Sequence, residues 1–217
     1  MKSYEYILFD LDGTLTDPAV GITKSVAYAL KKFGIEVDDI TQLNHFIGPP
    51  LLDSFMEYYG FDKEKAQTAI DYYRERFRVK GLYENAVYDG VREMLQKLKN
   101  SGKNLILATS KPEPFAKEIL HHFGLEKYFV YAAGSNFDGT RTAKAEVIEY
   151  ALERAGITDK SAAIMVGDRK HDIIGATKTE LDSIGVLYGY GSREELEAAG
   201  ATYIAETVED LTKLILG

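Results

Sequence analysis

Two aspartates two residues apart, Asp10 and Asp12, close the apolar run from Tyr4 to Phe9 and are followed at once by Gly13 and Thr14. Residues two apart on an extended strand share a face, so both carboxylates can leave the strand toward one space. Gly13 permits the tight turn that must follow. One aspartate at such a point would need no more explanation than an Asx turn. A second pair, Asp168 and Asp172, follows the apolar run from Ala162 to Val166, with Gly167 between. Asp168 leaves the strand end and Asp172 comes one helical turn later, so both can approach the same point. Four carboxylates at one edge of one sheet repel one another unless a cation binds among them. An all-oxygen set suits Mg²⁺, which keeps several waters and accepts phosphate oxygens from a substrate.

Other chemistries are thinned by what the chain lacks. There is no cysteine, which excludes disulfides, thiolate metal sites and cysteine nucleophiles. The histidines, His45, His121, His122 and His171, show no metal-ligand spacing. No G-x-x-x-x-G-K-[ST] loop is present, so P-loop nucleotide chemistry has no support. For positive charge near the carboxylates, Lys144 heads the apolar stripe formed by Val147 and Ile148. It has two readings, a stem that packs while its ammonium reaches water or a partner for a buried anion. Thr109 and Ser110 end the apolar run from Asn104, just before Pro112, where they serve either as a helix cap or as an anion contact at a helix N-terminus.

The elements that must hold these groups follow from the hydrophobic pattern. Apolar runs at Tyr4 to Phe9, Asn104 to Ala108, Phe129 to Ala133, Ala162 to Val166 and Ser183 to Leu187 read as buried strands. Helix-period segments alternate with them, which predicts a largely parallel α/β sheet with its ligand crevice beyond the strand carboxyl ends. From about Thr16 to Tyr83 the alternation stops, and the pattern is helical over Ala19 to Phe33, Leu51 to Tyr59 and Lys63 to Val79, with no strand. An inserted helical domain over residues 16–83 is expected, on a core made of residues 1–15 and 84–217, positioned to act as a lid.

With 45% hydrophobic and 28% charged residues, the composition is that of a globular protein. A net charge of -8 argues against nucleic-acid polymers and anionic membranes as partners. No apolar run is long enough for a secretory signal or a membrane span, so a cytoplasmic protein is expected, monomeric or homodimeric.

Together, Asp10-Leu11-Asp12-Gly13-Thr14, the Thr109-Ser110 strand end, Lys144, and Gly167-Asp168 with Asp172 resemble the four motifs of the haloacid dehalogenase-like hydrolases, and the likeness covers essentially the whole chain. It implies a Rossmann-like core with a helical cap of the family's first type. It further implies a Mg²⁺-dependent phosphatase acting on a small phosphorylated metabolite through an aspartyl-phosphate. Asp10 would be nucleophile and metal ligand, and Asp12 the general acid and base with its carbonyl on the metal. Asp168 would complete the metal contacts, with Asp172 acting directly or through water and Lys170, and Gly13, Thr109, Ser110 and Lys144 would surround the phosphate. The family's dehalogenases lack the second aspartate, so Asp12 points to phosphate esters. The segment Phe46 to Leu51 resembles the substrate-facing cap loop of phosphoglycolate phosphatases, although two prolines opening a helix account for it equally well. Gly134 to Gly139 with Arg141, the Gly167 to Asp172 loop and Gly189 to Ser192 are similar to a 5′-nucleotidase-like branch. Nucleoside monophosphates are therefore the expected substrates, with phosphoglycolate next and a β-phosphoglucomutase-like transfer third. Lys24, His45, Gly48 and Arg74 are the cap candidates for selecting the leaving group, while Tyr72 and Tyr73 are expected to be core packing.

Overall fold

The computed structural model describes residues 2–217. Strand β1 (Tyr6–Phe9) is followed by a two-residue strand β2 (Thr16–Asp17), and then come helices α1 (Ala19–Lys31), α2 (Leu51–Tyr59) and α3 (Lys63–Arg76). After β3 (Ala86–Val87) the alternation runs α4 (Val91–Asn100), β4 (Asn104–Pro112), α5 (Glu113–His122), β5 (Phe129–Ser135), α6 (Lys144–Arg154), β6 (Ala163–Gly167), α7 (Lys170–Lys178), β7 (Asp182–Val186), α8 (Arg193–Ala198), β8 (Tyr203–Ala205) and α9 (Val208–Leu216). The chain divides into two compact units, one up to Asp17 and from Val87 onward, the other spanning Pro18–Ala86.

In the first unit six strands form a parallel sheet of order β5-β4-β1-β6-β7-β8. The order reverses beside β1, which makes the space beyond its carboxyl end the switch point where such sheets bind ligands. Register matters here: Phe9 stands level with Leu107 of β4 and Val166 of β6. Asp10, the Thr109 region and Gly167 therefore emerge at one edge. Helix α6 buries Val147, Ile148, Ala151 and Leu152 against Leu8, Ile106 and Met165 of the sheet, which sets its first residue at that same edge.

The helical unit closes on its own aromatic cluster, in which Phe46, Phe55, Phe61 and Phe33 touch ring to ring. Pro50 stands as the N-cap of α2, and Asp62 caps α3 by accepting from the Lys65 amide at 2.8 Å. Tyr73 is buried and Tyr72 packs on Phe33, as core residues should. A π-turn, Phe77–Gly81, extends α3, and Gly21 of α1 lies so close to it that an added Cβ would stand 2.1 Å from the Gly81 carbonyl. One expectation is corrected: the stretch from Thr16 does contain a strand, since Thr16–Asp17 pairs with Ala86–Val87. Two residues are too few to show a period of two, and their pairing partner lies some seventy positions away in the sequence.

Candidate active site

Lys144 begins α6 with a side chain only 4% exposed, its ammonium 2.8 Å from Asp10 Oδ1 and 2.7 Å from Asp172 Oδ1. Its third hydrogen goes to the Ala108 carbonyl at 3.1 Å, so this lysine is a buried ion-pair partner rather than a snorkelling one. The stem fits because Gly175 of α7 has no side chain: a Cβ there would stand 2.7 Å from Lys144 Cγ. Asp10, Asp168 and Asp172 each bring one carboxylate oxygen to within 4.8 Å of the others, and all three are buried.

Strand β4 slips register between Ala108 and Pro112, so four residues on it face two on β5. A bulge of this kind re-aims side chains. It turns Lys111 inward, its ammonium 2.6 Å from Asp12 Oδ2 and its side chain 6% exposed. Thr109 is buried in the bulge and its hydroxyl accepts from the Lys111 amide at 3.2 Å, while Ser110 is half-buried beside it. Gly13 adopts φ +82°, its amide donates to the Thr16 carbonyl at 2.8 Å, and a Cβ there would lie 2.1 Å from Asp168 Oδ2.

Asp168 is held from the other side by the loop after β7. The Tyr190 amide donates to its Oδ2 at 2.8 Å, and a Cβ on Gly191 would sit 1.9 Å from its carbonyl oxygen. The Tyr190 hydroxyl reaches Asp17 Oδ1. Glu195 of α8 accepts from Arg169 Nε at 2.9 Å and from the Lys170 amide at 2.8 Å, fixing the turn between Asp168 and Asp172. Arg141, unassigned by sequence, ties a loop together: its Nε donates to the Gly134 carbonyl at 2.8 Å and its guanidinium covers the Tyr150 ring at 3.7 Å. Lys111, Tyr190 and Glu195 are the contributors that sequence reasoning assigned no role; only the glycines flanking Tyr190 carried a signal.

The cap candidates are held within their own unit. Lys24 is exposed on α1 with Glu84 at 3.5 Å, and Arg74 is half-buried on α3. His45 lies in a 3-10 turn against Tyr58, ring centroids 3.9 Å apart, with Nε2 buried and lacking a hydrogen-bond partner. Gly48 follows with φ +101°.

Do the core residues fit a divalent cation? Four buried carboxylates against the two ammonium groups of Lys111 and Lys144 leave two negative charges uncompensated, which is the charge of one Mg²⁺. Asp168 Oδ1 is buried without a hydrogen-bond partner, an arrangement that costs free energy unless something positive meets it. The donors are all oxygen, as Mg²⁺ prefers. The fit is good.

Electrostatics agree. Burial pushes the Asp12 carboxyl above the usual range, with Lys111 opposing. Burial and then the charge of Asp172 raise Asp168 further. Asp172 is pushed up to about 6 by burial, with Lys144 opposing and Asp10 adding. Burial pulls Lys144 down, but Asp10 and Asp172 outweigh it and the lysine stays protonated. A carboxyl raised on folding holds its proton more tightly when folded, so its contribution to stability is fully present below its unfolded pKa and is lost as pH rises from there through its folded pKa. A divalent cation held among these carboxylates would compete with those protons. Its stabilising increment should therefore be small near pH 5 and larger by roughly 1–3 kcal/mol at about pH 7.5. Paired thermal melts with EDTA and with saturating Mg²⁺ read this directly. His45 and His171, whose burial favours the neutral ring, cancel in the difference. An increment that shrinks as pH rises would contradict the site.

A parallel sheet with paired acids and a buried lysine at its switch point, interrupted after the first strand by a helical unit, is an arrangement suited to phosphoryl transfer. The family model of the haloacid dehalogenase-like hydrolases matches residues 7–186, and the chain belongs to that family as a phosphatase acting on phosphate monoesters. A 5′-nucleotidase of Pseudomonas aeruginosa is 49% identical over 98% of this chain and 96% of its own length. The tyrosine-protein kinase PtkA of Mycobacterium tuberculosis is 36% identical over 99% of this chain and 73% of its own. Among solved structures, a predicted phosphatase from Clostridium acetobutylicum superimposes with a TM-score of 0.96 at 56% identity, covering 99% of both chains. No helix among the described residues is long and apolar enough to cross a membrane.

Proposed function

We propose that this protein is a Mg²⁺-dependent phosphatase that passes the phosphoryl group of a nucleoside 5′-monophosphate to Asp10 and then to water. The observation that carries the chemistry is the pairing of Asp10 with Lys144 beside Asp168 and Asp172, with Asp12 held separately on Lys111. The 49% identity to a 5′-nucleotidase supports the choice of ester. Asp10, Asp168 and Asp172, with the Asp12 carbonyl that the family resemblance adds, would hold the cation. When bound it neutralises charge between a carboxylate nucleophile and a phosphate.

In the first half-reaction an Asp10 carboxylate oxygen attacks phosphorus and the bond to the ester oxygen breaks. That oxygen keeps the electron pair and takes a proton from Asp12, leaving an acyl phosphate on Asp10 and a neutral alcohol. In the second, water gives a proton to Asp12 as its oxygen bonds phosphorus, and the electron pair of the Asp10–phosphorus bond returns to the carboxylate. Lys144 supplies positive charge beside the attacked phosphoryl group, with Thr109, Ser110 and Gly13 lining the same strand ends. Leaving-group choice falls on this reading to the helical unit, with Lys24, His45, Gly48 and Arg74 the residues to vary. A cytoplasmic location fits such a substrate.

The test is phosphate release across nucleoside 5′-monophosphates, phosphoglycolate and glucose 1-phosphate, with and without Mg²⁺. Nucleoside 5′-monophosphates should lead in kcat/KM by about tenfold or more, the order of discrimination a binding pocket supplies. A lead by phosphoglycolate would transfer the assignment to the alternative substrate, and sugar isomerisation without free phosphate would make the protein a mutase. ATP with a tyrosine-containing peptide tests transfer of the kind named for the mycobacterial relative.

A further inference from the structure

The site contains two buried lysines, and the family pattern accounts for one. Lys144 lies between Asp10 and Asp172. Lys111 instead lies 2.6 Å from Oδ2 of Asp12, delivered there by the bulge that ends the regular pairing of β4. The Asp12 carboxylate is thereby asymmetric: Oδ2 is engaged, while Oδ1 is buried and has no hydrogen-bond partner. A carboxylate that must hand a proton to one oxygen and later take one from water needs a fixed orientation, since misplacement by an ångström can cost two orders of magnitude. We infer that Lys111 is a positioning residue that grips Asp12 by Oδ2 and so reserves Oδ1 for proton transfer to the leaving alcohol. The inference rests on Asp12 being the acid of the proposed reaction.

The step in question is protonation of the departing ester oxygen, and its demand depends on the leaving group. An alkyl alcohol leaves poorly as its anion and needs the proton, whereas 4-nitrophenolate leaves well without it. A general loss of structure would slow both esters alike, so the two substrates separate positioning from folding.

The experiment compares Lys111→Met, Lys111→Arg and Asp12→Asn with the wild type, using a nucleoside 5′-monophosphate and 4-nitrophenyl phosphate at saturating Mg²⁺, with thermal melts alongside. For Lys111→Met, kcat/KM, which reports the first half-reaction alone, should fall about 50- to 100-fold on the alkyl ester and less than about 5-fold on the aryl ester, while kcat on either ester also carries the shared second step in which Asp12 acts as base. Lys111→Arg, which can still donate to Oδ2, should recover part of the alkyl rate. Equal losses in kcat/KM on both esters overturn the inference, as does a loss carried wholly by KM with kcat unchanged, which would mean that Lys111 binds substrate. If Asp12→Asn shows the leaving-group selectivity and Lys111→Met does not, the positioning role fails and the reading of Asp12 stands. If Asp12→Asn shows none, the acid assignment itself fails and the inference goes with it. Should Lys111→Met not fold, Lys111→Gln carries the same comparison, because its amide offers Oδ2 a weaker, uncharged hydrogen bond.

Discussion

Asp10→Asn should fold as well as the wild type and lose at least about 10³- to 10⁴-fold in kcat on every phosphate ester it accepts, because a carboxamide oxygen cannot form and release the acyl phosphate. Two features make the folding half of this expectation firm. Asn has the same shape as Asp, and its Oδ1 can still accept from Lys144, which sits 2.8 Å from Asp10 Oδ1. The substitution also removes one of four negative charges crowded into a buried space, so without cation its melting temperature should hold or rise. Initial rates with an aryl and an alkyl ester, and thermal melts in EDTA, give both readings. Both esters should be equally affected, in contrast to the selectivity expected at Lys111, since the nucleophile is needed whatever leaves. Turnover within tenfold of the wild type would remove Asp10 from the chemistry and with it the proposed mechanism.

Much of this architecture is legible in the residue pattern, for reasons that vary from element to element. Strand β1 announces itself as an apolar run stopped by Asp10, and β6 as one stopped by Gly167 and Asp168, since strands buried on both faces must be apolar throughout. Parallel pairing then forces their ends together, which is why four acids scattered over more than 160 positions can be placed at one edge without coordinates. Lys144 was half legible: its place at the head of an apolar stripe showed that it faces inward, but whether an anion waits there depends on Asp172 and Gly175 from another helix. Lys111 was not legible at all. A regular strand assigns alternate residues to alternate faces, and only the slip after Ala108 turns this side chain toward Asp12. The support of Asp168 by the Tyr190 amide was equally hidden, because a backbone donor leaves no mark on residue type. The three-residue edge strand β8 was missed for want of length.

Lys144→Met is expected to be damaging in two separable ways. Methionine nearly preserves the stem that passes Gly175, so any loss reflects charge rather than a cavity. Without the ammonium, Asp10 and Asp172 face each other and Asp168 with no neutralising charge in a buried site, and breaking a buried pair from one side costs about 3–5 kcal/mol. That cost has a pH signature. The carboxyls can escape it by taking up protons, so cation-free Lys144→Met should lie closest to the wild type near pH 5 and diverge as pH rises through the raised pKa of Asp172, about 6 in the intact site. Mg²⁺ should restore much of the melting temperature, because it supplies the missing charge to the same carboxylates. On the proposed mechanism activity should not return with it: the attacked phosphoryl group would still lack a neighbouring ammonium, and loss of one such electrostatic contact costs about 10²- to 10³-fold in kcat. Lys144→Arg should not rescue either property. A planar guanidinium cannot hold both carboxylates at 2.7 and 2.8 Å and also reach the Ala108 carbonyl through the narrow passage beside Gly175. A melting temperature for Lys144→Met in EDTA that matches the wild type across this pH range would show that the lysine does not neutralise the acids. The charge balance from which a divalent cation is argued would then be wrong.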